Sequence, residues 1–89
     1  MEVKKVVVTE NIEIAKDTYK MTLKYSNARQ MKPGQFVNIK IDGYMLRRPI
    51  SISLVKDRNQ FVIVYKVVGD GTKKLSTVAS GETIDMFLH

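Results

Sequence analysis

Thr18-Tyr19-Lys20-Met21-Thr22-Leu23-Lys24-Tyr25 decides the reading of this chain. Tyr19, Met21, Leu23 and Tyr25 fall on one side of an extended backbone. Thr18, Lys20, Thr22 and Lys24 fall on the other. A period of two with large apolar groups on one side is a half-buried strand. The same period spreads outward in both directions. Residues 3–9 are rich in valine and form a first strand, with Ile12 and Ile14 extending it. Residues 36–41 place Val37, Ile39 and Ile41 on one face and end at Asp42-Gly43. Residues 49–55 set Ile50, Ile52 and Leu54 opposite Ser51 and Ser53. Residues 61–68 are apolar almost throughout, as in a strand covered on both faces. Ile84, Met86 and Leu88 alternate in a sixth strand.

Between these strands lie turn and helix signals. The polar stretch 27–34 closes on Pro33-Gly34, a turn pair. Gly69-Asp70-Gly71 breaks the fifth strand. Thr72 is placed to cap a short helix that carries Leu75, Val78 and Ala79 at helical spacing and ends before Gly81. Six short strands roughly a dozen residues apart predict a mainly β fold. The expectation is a small six-stranded antiparallel (Greek-key) barrel with one short helix between strands five and six, since closure removes exposed edges. No helical crossover separates successive strands, so a doubly wound α/β fold is excluded. The 89 residues allow one domain, residues 1–89.

Composition narrows the chemistry. There is no cysteine, and the one histidine is His89. That excludes a disulfide framework, thiol catalysis, a histidine triad and a cysteine-ligated zinc or iron–sulfur site within this chain. Lys and Arg number 15 against 9 Asp and Glu, a net charge of +6. Such a balance favours anionic partners: nucleic acid, phosphate-bearing cofactors or acidic proteins. Charge alone does not choose among them. No apolar run reaches the roughly 20 residues a membrane helix needs, and Met1-Glu2-Val3-Lys4-Lys5 lacks a secretory core, so a cytoplasmic protein with no membrane partner is expected.

Two segments suit an anion. In Leu46-Arg47-Arg48-Pro49-Ile50-Ser51-Ile52-Ser53 the adjacent arginines point to different sides of an extended chain, so one can face a cleft. A guanidinium grips a phosphate with two parallel hydrogen bonds. Pro49 stiffens the backbone, and the Ser51 hydroxyl follows, read as lying on the face of Arg48. In Gly69-Asp70-Gly71-Thr72 two glycines let the backbone approach an anion, and the helix start presents unpaired N–H groups. Each segment alone has a plainer meaning: an edge strand after a charged loop, and an ordinary strand-to-helix turn. Asp70 is a poor neighbour for a phosphate. Lys32-Pro33-Gly34-Gln35-Phe36 alone is a turn before a strand. Together, the arginine-serine strand and the diglycine bend suit a ligand with a pyrophosphate and a flat ring.

Three motifs then stand in a familiar order: Lys32-Pro33-Gly34-Gln35-Phe36-Val37, Arg47-Arg48-Pro49-Ile50-Ser51-Ile52, and Tyr65-Lys66-Val67-Val68-Gly69-Asp70-Gly71-Thr72. They resemble the FAD-binding barrel of the ferredoxin reductase superfamily, over essentially the whole chain. Within it, the wording is most similar to the electron-transfer subunits of dihydroorotate dehydrogenases. The resemblance implies that Arg48 contacts the FAD pyrophosphate, with Pro49 beside it. Ile50 would pack on the isoalloxazine where many relatives stack an aromatic, and Ser51 would hydrogen-bond near flavin N5. Val64, Tyr65 and Lys66 would line the cofactor, and Gly71 and Thr72 would hold the pyrophosphate. Lys66 stands where that subfamily often has arginine, a point charge in place of a fork.

The resemblance also implies a flavin oxidoreductase component, in a pathway of pyrimidine biosynthesis, that is not catalytically complete as 89 residues. Its partners would be FAD and a catalytic dehydrogenase subunit in a hetero-oligomer, with no nucleic acid. NAD and a [2Fe-2S] cluster would belong to a full-length protein. The family's nicotinamide-binding and iron–sulfur regions are absent from residues 1–89, so a fragment is expected. Two alternatives remain at this point. One is the equivalent module of a ferredoxin-, sulfide- or glutamate-linked reductase. The other is a small basic barrel that binds nucleic acid, for which Phe36, Tyr44 and Phe61 are the candidate stacking rings.

Overall fold

In the computed structural model the described residues are 2–41, 43–44 and 47–88. The sequence features read at Asp42, Leu46 and His89 lie outside them. The strands are β1 (Glu2–Ala15), β2 (Thr18–Lys24), β3 (Phe36–Lys40), β4 (Arg48–Asp57), β5 (Gln60–Lys66) and β6 (Thr83–Leu88). One helix, α1 (Asp70–Leu75), lies between β5 and β6, and a single 3-10 turn (Ala28–Gln30) follows β2. The strands close in the order β1-β2-β5-β4-β3-β6, every pairing antiparallel. The expected barrel is therefore present, with its one short helix between β5 and β6, but the helix ends at Leu75, so Val78 and Ala79 lie beyond it.

The inward rows follow from the period of two. Val6, Val8, Met21, Leu23, Val37 and Ile39 are all essentially inaccessible, joined by Ile52, Phe61, Ile63 and Met86. Leu75 of α1 is 1% exposed and drives the helix against the barrel. A six-residue helix is too short to be stable by itself, so such anchoring has to hold it. Before β3, the Gln35 N–H donates to the Lys32 carbonyl at 3.0 Å across Pro33-Gly34. Gly34 has φ +89, which is the conformation a type II turn demands at its third position.

Four further expectations need correction. Leu54 is 51% exposed, and Val55 packs on the core instead. A register shift between Ile52 and Leu54 in the β4–β5 ladder reverses the alternation there. β5 is covered on both faces only at its start. Val62 is buried, but Val64 is 37% exposed and Val68, beyond the strand end, is 79% exposed. Thr72 is not the cap residue: the helix is entered at Gly69, and Thr72 is its third residue. Thr22 faces outward yet is only 3% exposed, beside its cross-strand partner Glu10, to whose carboxylate its hydroxyl donates at 3.3 Å.

Candidate functional site

β4 and β5 do not pair along their whole lengths. Their ladder begins at Ile52↔Ile63. Pro49, Ile50 and Ser51 instead pair away from β5, with Asn38, Val37 and Phe36 of β3. Val64, Tyr65 and Lys66 pair with Lys20, Tyr19 and Thr18 of β2. The barrel wall thus splits at this end. The Arg48–Ser51 strand forms one side of the split and Val64–Lys66 the other, and the diglycine bend continues from the end of that second side.

Arg48 is exposed at the start of β4, and its side chain makes no hydrogen bond or ion pair among the described residues. Its guanidinium lies across the first turn of α1. A Cβ placed on Gly71 would meet Arg48 Nε and Nη2, each at 3.1 Å. Only glycine leaves that space to the guanidinium without pushing it. The arginine strand and the diglycine bend, 23 residues apart, therefore converge on one spot. The cradle suits a phosphate: a free guanidinium fork on one side, and on the other a glycine backbone whose N–H lies in the unpaired first turn of a helix.

Arg47 goes elsewhere, as two adjacent residues of an extended chain must. Its guanidinium sits 5.5 Å from the centroid of the Phe87 ring, and Nη1 donates to the Asn38 carbonyl at 3.5 Å. Ser51 does not share the face of Arg48. It lies three residues on, in the outward row with Pro49 and Ser53, while Arg48 continues the row of the buried Ile50 and Ile52. Phe36 stands directly across from Ser51 and is 55% exposed. Of the other rings considered for stacking, Tyr44 packs against the core and Phe61 is fully buried.

The Thr72 hydroxyl is committed to the turn. It accepts from the Val68 N–H at 2.9 Å and the Gly69 N–H at 3.2 Å, and donates to the Gly69 carbonyl at 3.2 Å. What Thr72 has left for a ligand is its main chain. Tyr65 is committed too. It is buried, its ring stacks on Tyr19 at 5.7 Å, and its hydroxyl donates to Asn11 Oδ1 at 2.8 Å. Burial pushes the Tyr65 hydroxyl up to about 12. Val64 and Lys66 point outward beside it and are exposed.

Asn11 is the residue that sequence reasoning passed over. It sits in what reads as a β-branched strand, but the register shift between Val8 and Glu10 turns it onto the side of Met21. A polar residue where the alternation of β1 breaks was the available clue. A cavity of about 370 Å³ also opens among Lys5, Lys40, Lys74, Ile84 and Asp85, and none of the nominated residues lines it. It mixes lysines with carboxylates, so its charge is largely balanced, unlike the cradle at Arg48.

Two expected outcomes follow from this geometry. In Gly71→Ala, the added methyl displaces the guanidinium by a few tenths of an ångström while alanine favours the helix by up to about 1 kcal/mol. Thermal stability should hold or rise while affinity for a phosphate-bearing ligand falls. A parallel change in both would contradict the reading. The second concerns Tyr65. Between about pH 10 and 12 the unfolded chain loses this proton and the folded chain keeps it, so stability falls as pH rises through that window. Tyr65→Phe should remove on the order of 1–3 kcal/mol of that alkaline loss, measured by urea unfolding against pH. Identical alkaline slopes in the two proteins would refute it.

With fold and geometry in place, comparison with known proteins gives the class. The family model for the oxidoreductase FAD-binding domain matches residues 5–87. The chain belongs to that family. Among curated proteins it is 46% identical over 91 residues to the dihydroorotate dehydrogenase B (NAD(+)) electron transfer subunit of Fusobacterium nucleatum, covering 97% of this chain and 35% of that protein. The corresponding subunit of Bacillus cereus strain G9842 is 43% identical with the same coverage. The chain thus spans about a third of the length of these relatives. Among solved structures, an NADH-dependent reduced ferredoxin-NADP oxidoreductase superposes with a TM-score of 0.76 at 30% identity, over 89% of this chain and 31% of that one. Phthalate dioxygenase reductase gives 0.80 at 16% identity over 97% and 29%, a likeness of fold alone.

Proposed function

We propose that the split between β4 and β5 holds FAD, with Arg48 and the main chain of Gly71 and Thr72 clasping the pyrophosphate. The observation that carries this is the Arg48 guanidinium lying on the bare Cα of Gly71. Pro49 keeps the strand entry extended, and Ile50, its side chain buried in the inward row, offers the ring its main chain. The exposed Ser51 hydroxyl serves the N5 edge from the outward face of β4. Exposed Val64 and Lys66, with the main chain of Tyr65, line the opposite bank. Lys66 adds positive charge toward the ribityl-phosphate end. FAD, when bound, supplies the hydride and electron transfer; the protein binds, orients and shields it.

The similarity at 46% identity supports a finer reading. In it, residues 1–89 are the flavin-holding barrel of a dihydroorotate dehydrogenase electron-transfer subunit. It is a cytoplasmic component that works beside a catalytic dehydrogenase subunit. The [2Fe-2S] cluster belongs to another part of that assembly, since these 89 residues contain no cysteine, and in this reading NAD also binds outside residues 1–89. The test is to mix the FAD-loaded protein with such a catalytic subunit and with the cluster-bearing remainder of a relative's electron-transfer subunit, then add dihydroorotate. Bleaching of the visible flavin band on this chain, dependent on every component, is expected. FAD bound but never reduced under these conditions would overturn the finer reading and leave the flavin reading standing.

A further inference from the structure

We propose that Asn11 is a positioning residue for the pyrophosphate cradle, locking the last turn of α1 to the barrel and so fixing where the first turn meets Arg48. This rests on the flavin reading above. The Asn11 side chain joins three elements. Its Nδ2 donates to the Leu75 carbonyl at 3.1 Å and to the Val78 carbonyl at 2.9 Å, while its Oδ1 accepts from the Tyr65 hydroxyl at 2.8 Å. Both amide protons and the oxygen are therefore used, and an amide is the one side-chain group that offers donors and acceptor in that arrangement. Asp and Leu lack the donors, and Ser is too short to bridge.

The Leu75 carbonyl ends α1 and also accepts the Val78 N–H at 3.2 Å, while the Val78 carbonyl lies three residues beyond, so Asn11 fastens both the end of the helix and the turn that follows it. Gly71 lies one turn earlier on the same face as Leu75, about 6 Å along the axis. Over one turn a hydrogen-bonded helix moves as a unit, so the position of the Leu75 carbonyl sets the position of Gly71. The Leu75 side chain, 1% exposed, holds α1 against the core, but a single aliphatic group resists sliding poorly. Asn11 adds directional bonds. The clearance at Gly71 is narrow: a Cβ there would already stand 3.1 Å from Arg48, so a shift of an ångström would close or open the cradle. The Tyr65 hydroxyl, kept protonated up to about pH 12, holds the Asn11 amide in the one flip that aims Nδ2 at the helix.

The test compares FAD with riboflavin, which has the ring and lacks the phosphates. Asn11→Asp keeps an acceptor for Tyr65 but sets a carboxylate against two carbonyls. Asn11→Ala removes all three bonds without adding charge, and serves if the aspartate variant does not fold. The expected result is a loss of tenfold or more in FAD affinity with riboflavin affinity within twofold of the parent protein. Equal losses for both ligands would mean general loosening, and no loss for either would mean no role; each overturns the proposal. A second readout needs no flavin. NMR contacts between the Arg48 side chain and the Gly71 α-protons should be present in the parent and lost in the variant, with contacts across Met21 and Ile63 retained. Their persistence in the variant also overturns it. Should the parent protein bind neither flavin, the flavin reading fails, and the NMR contacts still decide whether Asn11 places α1.

Discussion

Arg48→Ala is expected to bind FAD roughly 10- to 150-fold more weakly than the parent protein, the loss of a charged hydrogen-bonded contact worth about 1.5–3 kcal/mol. The effect should fall on binding and spare the fold. The Arg48 side chain is exposed and makes no hydrogen bond or ion pair among the described residues, so truncation leaves no orphaned partner. Exposed substitutions of this kind usually change stability by less than about 0.5 kcal/mol. Arg48→Lys should lie between, because an ammonium keeps the charge and loses the two-pronged fit. Calorimetric or fluorescence titration with FAD reads all three proteins. Equal affinities in the parent and the alanine variant would remove Arg48 from the site.

Phe61→Ala should damage the fold far more than the chemistry. Phe61 is the largest of the fully buried side chains, with its ring meeting Tyr25 edge-on at 6.4 Å. Its removal leaves a cavity in the barrel core, where closed strands cannot collapse freely around the gap. The cost is about 3–5 kcal/mol. A chain this small has a total stability of about 4–13 kcal/mol, so the variant loses much of its margin. Urea midpoints and a melting temperature lower by more than about 10 °C should show it. A destabilisation under about 1 kcal/mol would mean that Phe61 is not where the packing places it.

The barrel was legible because the period of two is a direct imprint of the pleat. Val37, Ile39, Ile50, Ile52, Ile84 and Met86 alternate in the sequence and are buried in the structure. Misreadings occurred where an irregularity shifts the alternation by one residue. Leu54 reads as inward and is half exposed because of the register shift after Ile52. Asn11 was passed over in a strand read as β-branched, and the shift after Val8 brings it round. A bulge demands no particular residue type, so nothing in the sequence marks the one before Leu54, and the trace of the other is a polar Asn11 where the alternation of β1 breaks. Thr72 had the side chain of a cap, but its hydroxyl reaches back to Gly69 from the third helical position, a bond that residue type does not distinguish from capping.

For the site, the chemistry of the residues was readable and their orientation was not. Arginine followed by proline, and glycines before a helix, suggest an anion wherever they occur. Their meeting depends on strand order: β4 and β5 are neighbours, and α1 leaves the end of β5 next to the start of β4. Ser51 shows the limit. Its hydroxyl suits a ring nitrogen, but it projects to the side opposite Arg48, so one ligand must bend around the strand to reach both. A dinucleotide, with its flexible ribityl-pyrophosphate link, has that reach.

The convergence of Arg48 and Gly71 is open to direct measurement in the 15N-labelled protein titrated with FAD. The Arg48 Nε–H and the Gly71 and Thr72 amides should shift together along one saturation curve, with Phe61 and Leu23 unmoved. Shifts confined to the lysine-lined cavity beside β6, or a Gly71 amide that stays still while FAD binds, would contradict the account.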